Sequence, residues 1–264
     1  MKRQATWPPF IHRSRHLQPA IALRFDDPIL VCQRICDQQA VHGDTNDPAV
    51  LGAIASEQER LYALRGSPDR WLHLSSAQAV MIYLLMLAGE GNTTLADNIN
   101  LPTTLLFTLR AHYDWMNQHY PASCTAVDKM VIDAMTWDDW VFKESKCRTA
   151  MLYFMFGLFF DIDFGLPCDR ELDYHSVDVN LPAPKPLWEA RDELSWRSEY
   201  DIGCHSRDPD LKYGDLLQLN QQDIGAEYAD TEEIQRLGRR VEKWHEEMDD
   251  FGMLVTFCST ITGQ

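Results

Sequence analysis

Acidic side chains set close together are the first candidates for chemistry in this sequence. Asp138-Asp139 with Glu144 could hold a magnesium ion, because a hard divalent cation takes carboxylate oxygens. Asp161 and Asp163 form a second such pair. A structural reading competes in both places. Two acids in a first helical turn complement the positive end of the helix dipole, and Asp161 and Asp163 read equally as the polar end of an apolar run. A magnesium-dependent helical enzyme would need Asp138, Asp139 and Asp161 to converge, yet consecutive helical residues point about 100° apart. That enzyme is the alternative reading. Glu144 and Arg148, four apart in the favourable order, form an i,i+4 ion pair on a helix.

Other motifs for chemistry are missing. "HEEMD" at 245–249 lacks the second histidine of a zinc-protease helix. The sequence has no G-x-S-x-G elbow, phosphate-binding loop or G-x-G-x-x-G turn. Nine histidines are dispersed, and seven cysteines stand at 32, 36, 124, 147, 168, 204 and 258. Only Cys32 and Cys36 are close together, without the second pair or histidines that a zinc site needs. Free thiols are the expectation, with Cys168 and Cys204 buried or half-buried. No catalytic, cofactor-binding or metal residue is assigned, no cofactor is expected, and the chain is not read as an enzyme.

Helix signals dominate the elements that would position these residues. Asp47-Pro48 is an N-cap with proline at the first helical position, opening a helix to about Arg65 with Val50, Leu51, Ile54, Leu61 and Tyr62 on its apolar face. Gly66-Ser67-Pro68 ends it. Ser75 and Gln78 have capping-box spacing and predict a helix from there to Gly89. Further helices are predicted over 101–118 and 126–135. Thr136 and Asp139 repeat the capping spacing before a long helix. On it Trp137, Trp140, Val141, Glu144, Arg148, Leu152, Met155 and Phe159 share a face. Beyond Ala150 this helix is apolar nearly all round, which marks it as central and buried. An irregular, proline-rich stretch covers 164–186. Helices then follow over 187–200 and 211–221, and a last one runs from Asp230 through Val255. The fold expected is all-α: an irregular multi-helix globular domain, taken as one domain over 1–264 with a flexible N-terminus at 1–18.

The bulk composition excludes some functions. Forty acidic against 24 basic side chains give a formal charge of −16. Such a chain repels a phosphate backbone, so no direct nucleic-acid binding is expected. The apolar runs 79–88 and 150–160 are too short to span a bilayer, so no membrane role is expected.

Taken in order, the unusual stretches resemble the regulatory region of fungal zinc-cluster transcription factors, the fungal-specific transcription factor domain or middle homology region. The series is Trp137 and Trp140, Glu144-Ser145-Lys146, Arg148-Thr149, Gly165-Leu166-Pro167-Cys168, "NLPAPKP", Leu187-Trp188-Glu189-Ala190 and Trp196. "WPPFIHR" (7–13) and "LSSAQAVMIYLLM" (74–86) precede it, and "YGDLL" (213–217) and "WHEEMDDFGMLV" (244–255) follow. The resemblance covers nearly the whole chain. It implies a structural role for Trp137, Trp140, Glu144, Arg148, Pro167, Cys168, Trp188, Glu189 and Trp196. The tryptophans would anchor the central helix, and Glu144 with Arg148 would orient it.

Members of that family also carry six cysteines clamping two zinc ions, or zinc fingers. No such cysteine spacing occurs in this sequence. The expectation is therefore a transcription-regulator domain without its own DNA reader. It would act by self-association or through a DNA-binding relative, with room for an effector ligand. A helical interaction scaffold with no transcriptional role is the third reading. Kinship implies a nuclear location, although Lys2-Arg3 and Arg239-Arg240 are poor import signals; otherwise the chain would be cytoplasmic.

Overall fold

The computed structural model describes residues 7–14, 26–43, 47–89, 100–120, 135–160, 176–204, 211–222 and 231–262. Among them every extended element is an α-helix, and the nearest approach to a sheet is one isolated antiparallel bridge, Asn180 with Lys212. The all-α expectation holds. The chain divides into two compact units: 1–14 with 122–158 and 173–264, and 15–121 with 159–172.

The second of these units contains α1 (Pro28–His42), α2 (Pro48–Ala63), α3 (Arg70–Gly89) and α4 (Asn100–His119), with a 3-10 turn at Leu64–Gly66. Two helices open on the same Asp-Pro signal. Asp27 accepts from the N–H groups of Ile29 and Leu30, Asp47 accepts from that of Ala49, and each is followed by proline. These caps satisfy N–H groups that a first turn leaves unpaired. Gly43, at φ +74°, closes α1 in the left-handed conformation, with its N–H on the Gln39 carbonyl.

α1 has no counterpart among the predicted helices, although Asp27-Pro28 carries the same signal as Asp47-Pro48. On α2, Val50, Ile54 and Leu61 are buried as expected, while Tyr62 is exposed. The same face buries Glu57, which Arg60 grips through two hydrogen bonds of 2.7 and 2.6 Å.

The predicted start of α3 at Ser75 is corrected. Asp69 caps the helix instead, accepting from Trp71 N–H at 2.9 Å, and Ser75 lies inside it, its hydroxyl donating back to the Trp71 carbonyl at 2.6 Å. A serine can satisfy itself on the preceding turn, so capping-box spacing alone does not make a start. With this earlier start α3 is long and apolar enough to cross a membrane by length and composition. Most of its residues between His73 and Ala88 are buried within the protein, with Leu85 exposed.

The first unit contains α5 (Trp137–Phe160), α6 (Lys185–Trp188), α7 (Glu193–Cys204), α8 (Tyr213–Gln222), α9 (Thr231–Glu247) and α10 (Asp250–Thr262), with a 3-10 turn at Ser176–Asp178. α5 begins as predicted: Asp139 N–H donates to the Thr136 hydroxyl, which donates to the Asp139 carboxylate. Trp140, Val141, Leu152 and Met155 are buried on it, and so are Ser145, Lys146 and Thr149. Its far end is less enclosed than expected, with Leu158 48% exposed.

Three boundaries differ from expectation. The helix predicted over 187–200 is two, α6 and α7, because Asp192 caps a new start by accepting from Ser195 N–H at 2.8 Å. Residue 211 is not helical: the Leu211 carbonyl accepts from Leu181 N–H and α8 starts at Tyr213. The last predicted helix breaks between Glu247 and Asp250 into α9 and α10. The predicted helix over 126–135 lies outside the described residues except for Met135, which is not helical.

Candidate functional site

The break between α9 and α10 builds the site. Asp249 caps α10, one carboxylate oxygen accepting from Gly252 N–H at 3.0 Å. A β-carbon on Gly252 would stand 2.7 Å from that of Met248, so only glycine lets the chain turn so tightly. The other oxygen of Asp249 accepts from Arg148 Nη1 at 2.6 Å. Arg148, on α5, is 1% exposed. Its Nε donates to Glu144 at 2.8 Å, Nη1 also to the Pro9 carbonyl at 3.1 Å, and Nη2 to the Ala183 carbonyl at 3.2 Å. Glu144 accepts in addition from Ala183 N–H at 2.8 Å. The guanidinium carbon lies 4.0 Å from the Trp188 ring centre and 5.5 Å from that of Phe251.

One planar cation thus joins α5, the segment at 9, the loop at 183, α6 and α10. The rigid fork of donors makes arginine suited to this, where lysine would offer a single point charge. Two carboxylates face the one guanidinium. A buried charge is tolerated when it is hydrogen-bonded on this scale.

His12, also buried, packs edge-on to Trp188 with ring centres 4.8 Å apart, and to Trp137 at 6.3 Å. Its Nδ1 accepts from Ser14 N–H, which fixes the proton on Nε2. Burial pushes its pKa down to about 4, assisted by the Arg148 and Arg13 charges and opposed by a hydrogen bond to the Trp188 backbone. His12 is therefore neutral at pH 7. Trp244 donates to the Pro182 carbonyl at 2.9 Å and pins the proline-rich loop from α9.

Of the residues singled out in the sequence, Glu144, Arg148 and Trp188 meet directly, and Trp137 joins through His12. Trp140 and Trp196 are buried in the same unit, 6.0 Å between ring centres, with Tyr200 stacked on Trp196 at 4.7 Å. Glu189 is exposed and stays outside the knot. Pro167, Cys168, Asp161 and Asp163 lie outside the described residues. Asp138 is exposed and Asp139 is engaged with Thr136. Among the described residues no three histidine, cysteine, aspartate or glutamate side chains cluster to hold a metal ion. Among the described residues Cys32, Cys36, Cys147 and Cys258 are not joined in disulfides.

Sequence reasoning missed Asp249, His12, and the Pro9 and Ala183 carbonyls. The usable signal for Asp249 was "MDDFG", an aspartate before a possible new helix start; carbonyl partners leave no signal. The arrangement orients and holds elements, with no nucleophile and general base placed together. No protein-family model, curated protein or solved structure matches the chain.

Proposed function

We propose that the chain is a transcription-regulator domain that works through protein contacts and makes no DNA contacts of its own. The observation that carries this reading is the convergence on Arg148. Glu144, Arg148 and Trp188, separated by up to 44 positions in the sequence, belong to one resembling series and meet in one buried knot. The resemblance to the fungal regulatory region implies a structural role for these residues, and their meeting in one knot supports that reading. The charge of −16 disfavours duplex binding. Protein contact is favoured by an apolar stripe on α10, where Met253, Leu254, Phe257 and Ile261 are 52, 40, 58 and 47% exposed.

Titrating the purified chain into labelled duplex DNA at low and physiological salt, with fluorescence anisotropy as the readout, tests the first half. The reading predicts no saturable binding at either salt; tight, salt-sensitive binding would contradict it. Fusion of the chain to an unrelated DNA-binding domain, with a reporter gene downstream, tests the second half. Altered reporter output is expected, and an output equal to that of the DNA-binding domain alone counts against a regulatory role.

A further inference from the structure

The second unit buries two histidines against each other. His73 on α3 and His112 on α4 are both fully buried, and their Nδ1 atoms lie 2.9 Å apart. His73 Nε2 is 2.8 Å from the Ser67 carbonyl, and His112 Nε2 is 3.1 Å from the Leu61 carbonyl. A carbonyl can only accept, so both Nε2 atoms must carry protons. The contact between the two Nδ1 atoms then needs a third proton, because two bare lone pairs would repel at that distance. Two neutral imidazoles supply only two protons.

We propose that His73 and His112 share one extra proton, forming a singly charged pair that latches α2, the 64–67 turn, α3 and α4 together in a pH-dependent way. Loss of that proton forces one ring to turn and release the Leu61 or the Ser67 carbonyl. A fourth proton sets two imidazolium rings against each other.

The surroundings fit a single charge. Trp115 stacks face to face on His73, with ring centres 3.9 Å apart and planes 3° off parallel, a favourable seat for a cationic ring. On the other side of Trp115 lies His119, 4.3 Å away. The titratable and charged groups acting on the pair are Asp69 at the head of α3, which favours charge on His73, and His119 from α4 and Arg65 from the 3-10 turn, which oppose it. From α2 comes the Leu61 carbonyl, at the negative end of a helix. Burial opposes charge on both rings and, with the charge of His73 behind it, drives His112 down to about 4. That resistance acts on the first charge at His73 as well as on the second at His112; what holds the first is the set of three hydrogen bonds, which cannot all close without a third proton.

The test is the long-range 1H–15N spectrum of the full chain with labelled histidine, followed from acid to alkaline pH. His73→Gln and His112→Gln assign the signals. At neutral pH both Nε2 atoms should be protonated and both Nδ1 atoms should resonate between the bare and the protonated extremes. A bare Nδ1 on either ring at neutral pH, with an Nε2 lacking its proton, would overturn the latch. Stability gives a second readout. Above the ordinary histidine value, where the unfolded chain has given up the proton and the folded pair still holds it, the unfolding equilibrium of the native chain should move about ten-fold per pH unit towards the unfolded form, and this slope should be absent in His112→Gln. An unchanged slope overturns the proposal, and should the variant not fold, the spectrum of the native chain decides alone.

Discussion

Arg148 spends its charge entirely inside the protein, on Glu144, Asp249 and two carbonyls. Arg148→Ala would leave two carboxylates without their cation, and breaking a buried pair in this way costs about 3–5 kcal/mol. Denaturant titration of the variant should show that loss. Arg148→Lys should recover only part of it, because the fork that serves four acceptors is gone. An exposed i,i+4 pair would be worth only about 0.3–0.5 kcal/mol, so the size of the loss separates the two settings.

His12 sets a pH dependence of opposite cause. Its folded pKa of about 4 lies below the ordinary value, so the unfolded chain binds a proton that the folded chain refuses. The stability it supports is complete above about pH 6.5 and is lost as pH falls towards the folded value. Urea denaturation at pH 7 and near pH 4.5 should show the native chain losing stability relative to His12→Gln, which has nothing to protonate at that position.

Individual helices depend on the capping acids. Asp27→Ala or Asp47→Ala should cost about 1 kcal/mol each, read from thermal unfolding. Asp249 carries two duties, so its variants should separate. Asp249→Asn keeps a good capping side chain and loses the ion pair, whereas Asp249→Ala loses both and should be the less stable by about 1 kcal/mol.

At the scale of elements, much was legible in the sequence, because caps and breakers act locally. Asp47-Pro48, Thr136 with Asp139, and the stop at Gly66-Ser67-Pro68 stand where the spacing places them. The failures share a cause. Ser75 bonds to its own helix, Asp192 and Asp249 start helices inside runs that remain helical in pattern, and Leu211 is held by the Leu181 N–H across the chain. Periodicity reports which face is apolar, and it continues smoothly through a two-residue break. Of the candidate site, the pair Glu144–Arg148 could be read from its spacing, whereas Asp249 and the Pro9 and Ala183 carbonyls are brought in by tertiary folding.

For the molecule as a whole, the most distinctive groups among the described residues, Arg148 with its acceptors and the His73–His112 pair, are enclosed. Outside them stand a net charge of −16 and, among several exposed apolar side chains, the four on α10. On the reading proposed above, both serve association with other proteins rather than with nucleic acid. Substituting Phe257 and Ile261 together by serine should reduce self-association or partner capture with only a modest fall in the unfolding midpoint, because about half of each side chain is already exposed. Sedimentation of the two forms at matched concentration would check it.

The most direct test of the regulatory reading is affinity capture with the tagged 264-residue chain from cell extract, with the bound proteins identified by mass spectrometry. Recovery of a zinc-cluster DNA-binding regulator, or of components of the transcription machinery, is the result predicted. Recovery of metabolic enzymes alone, or of nothing above the tag control, would contradict it.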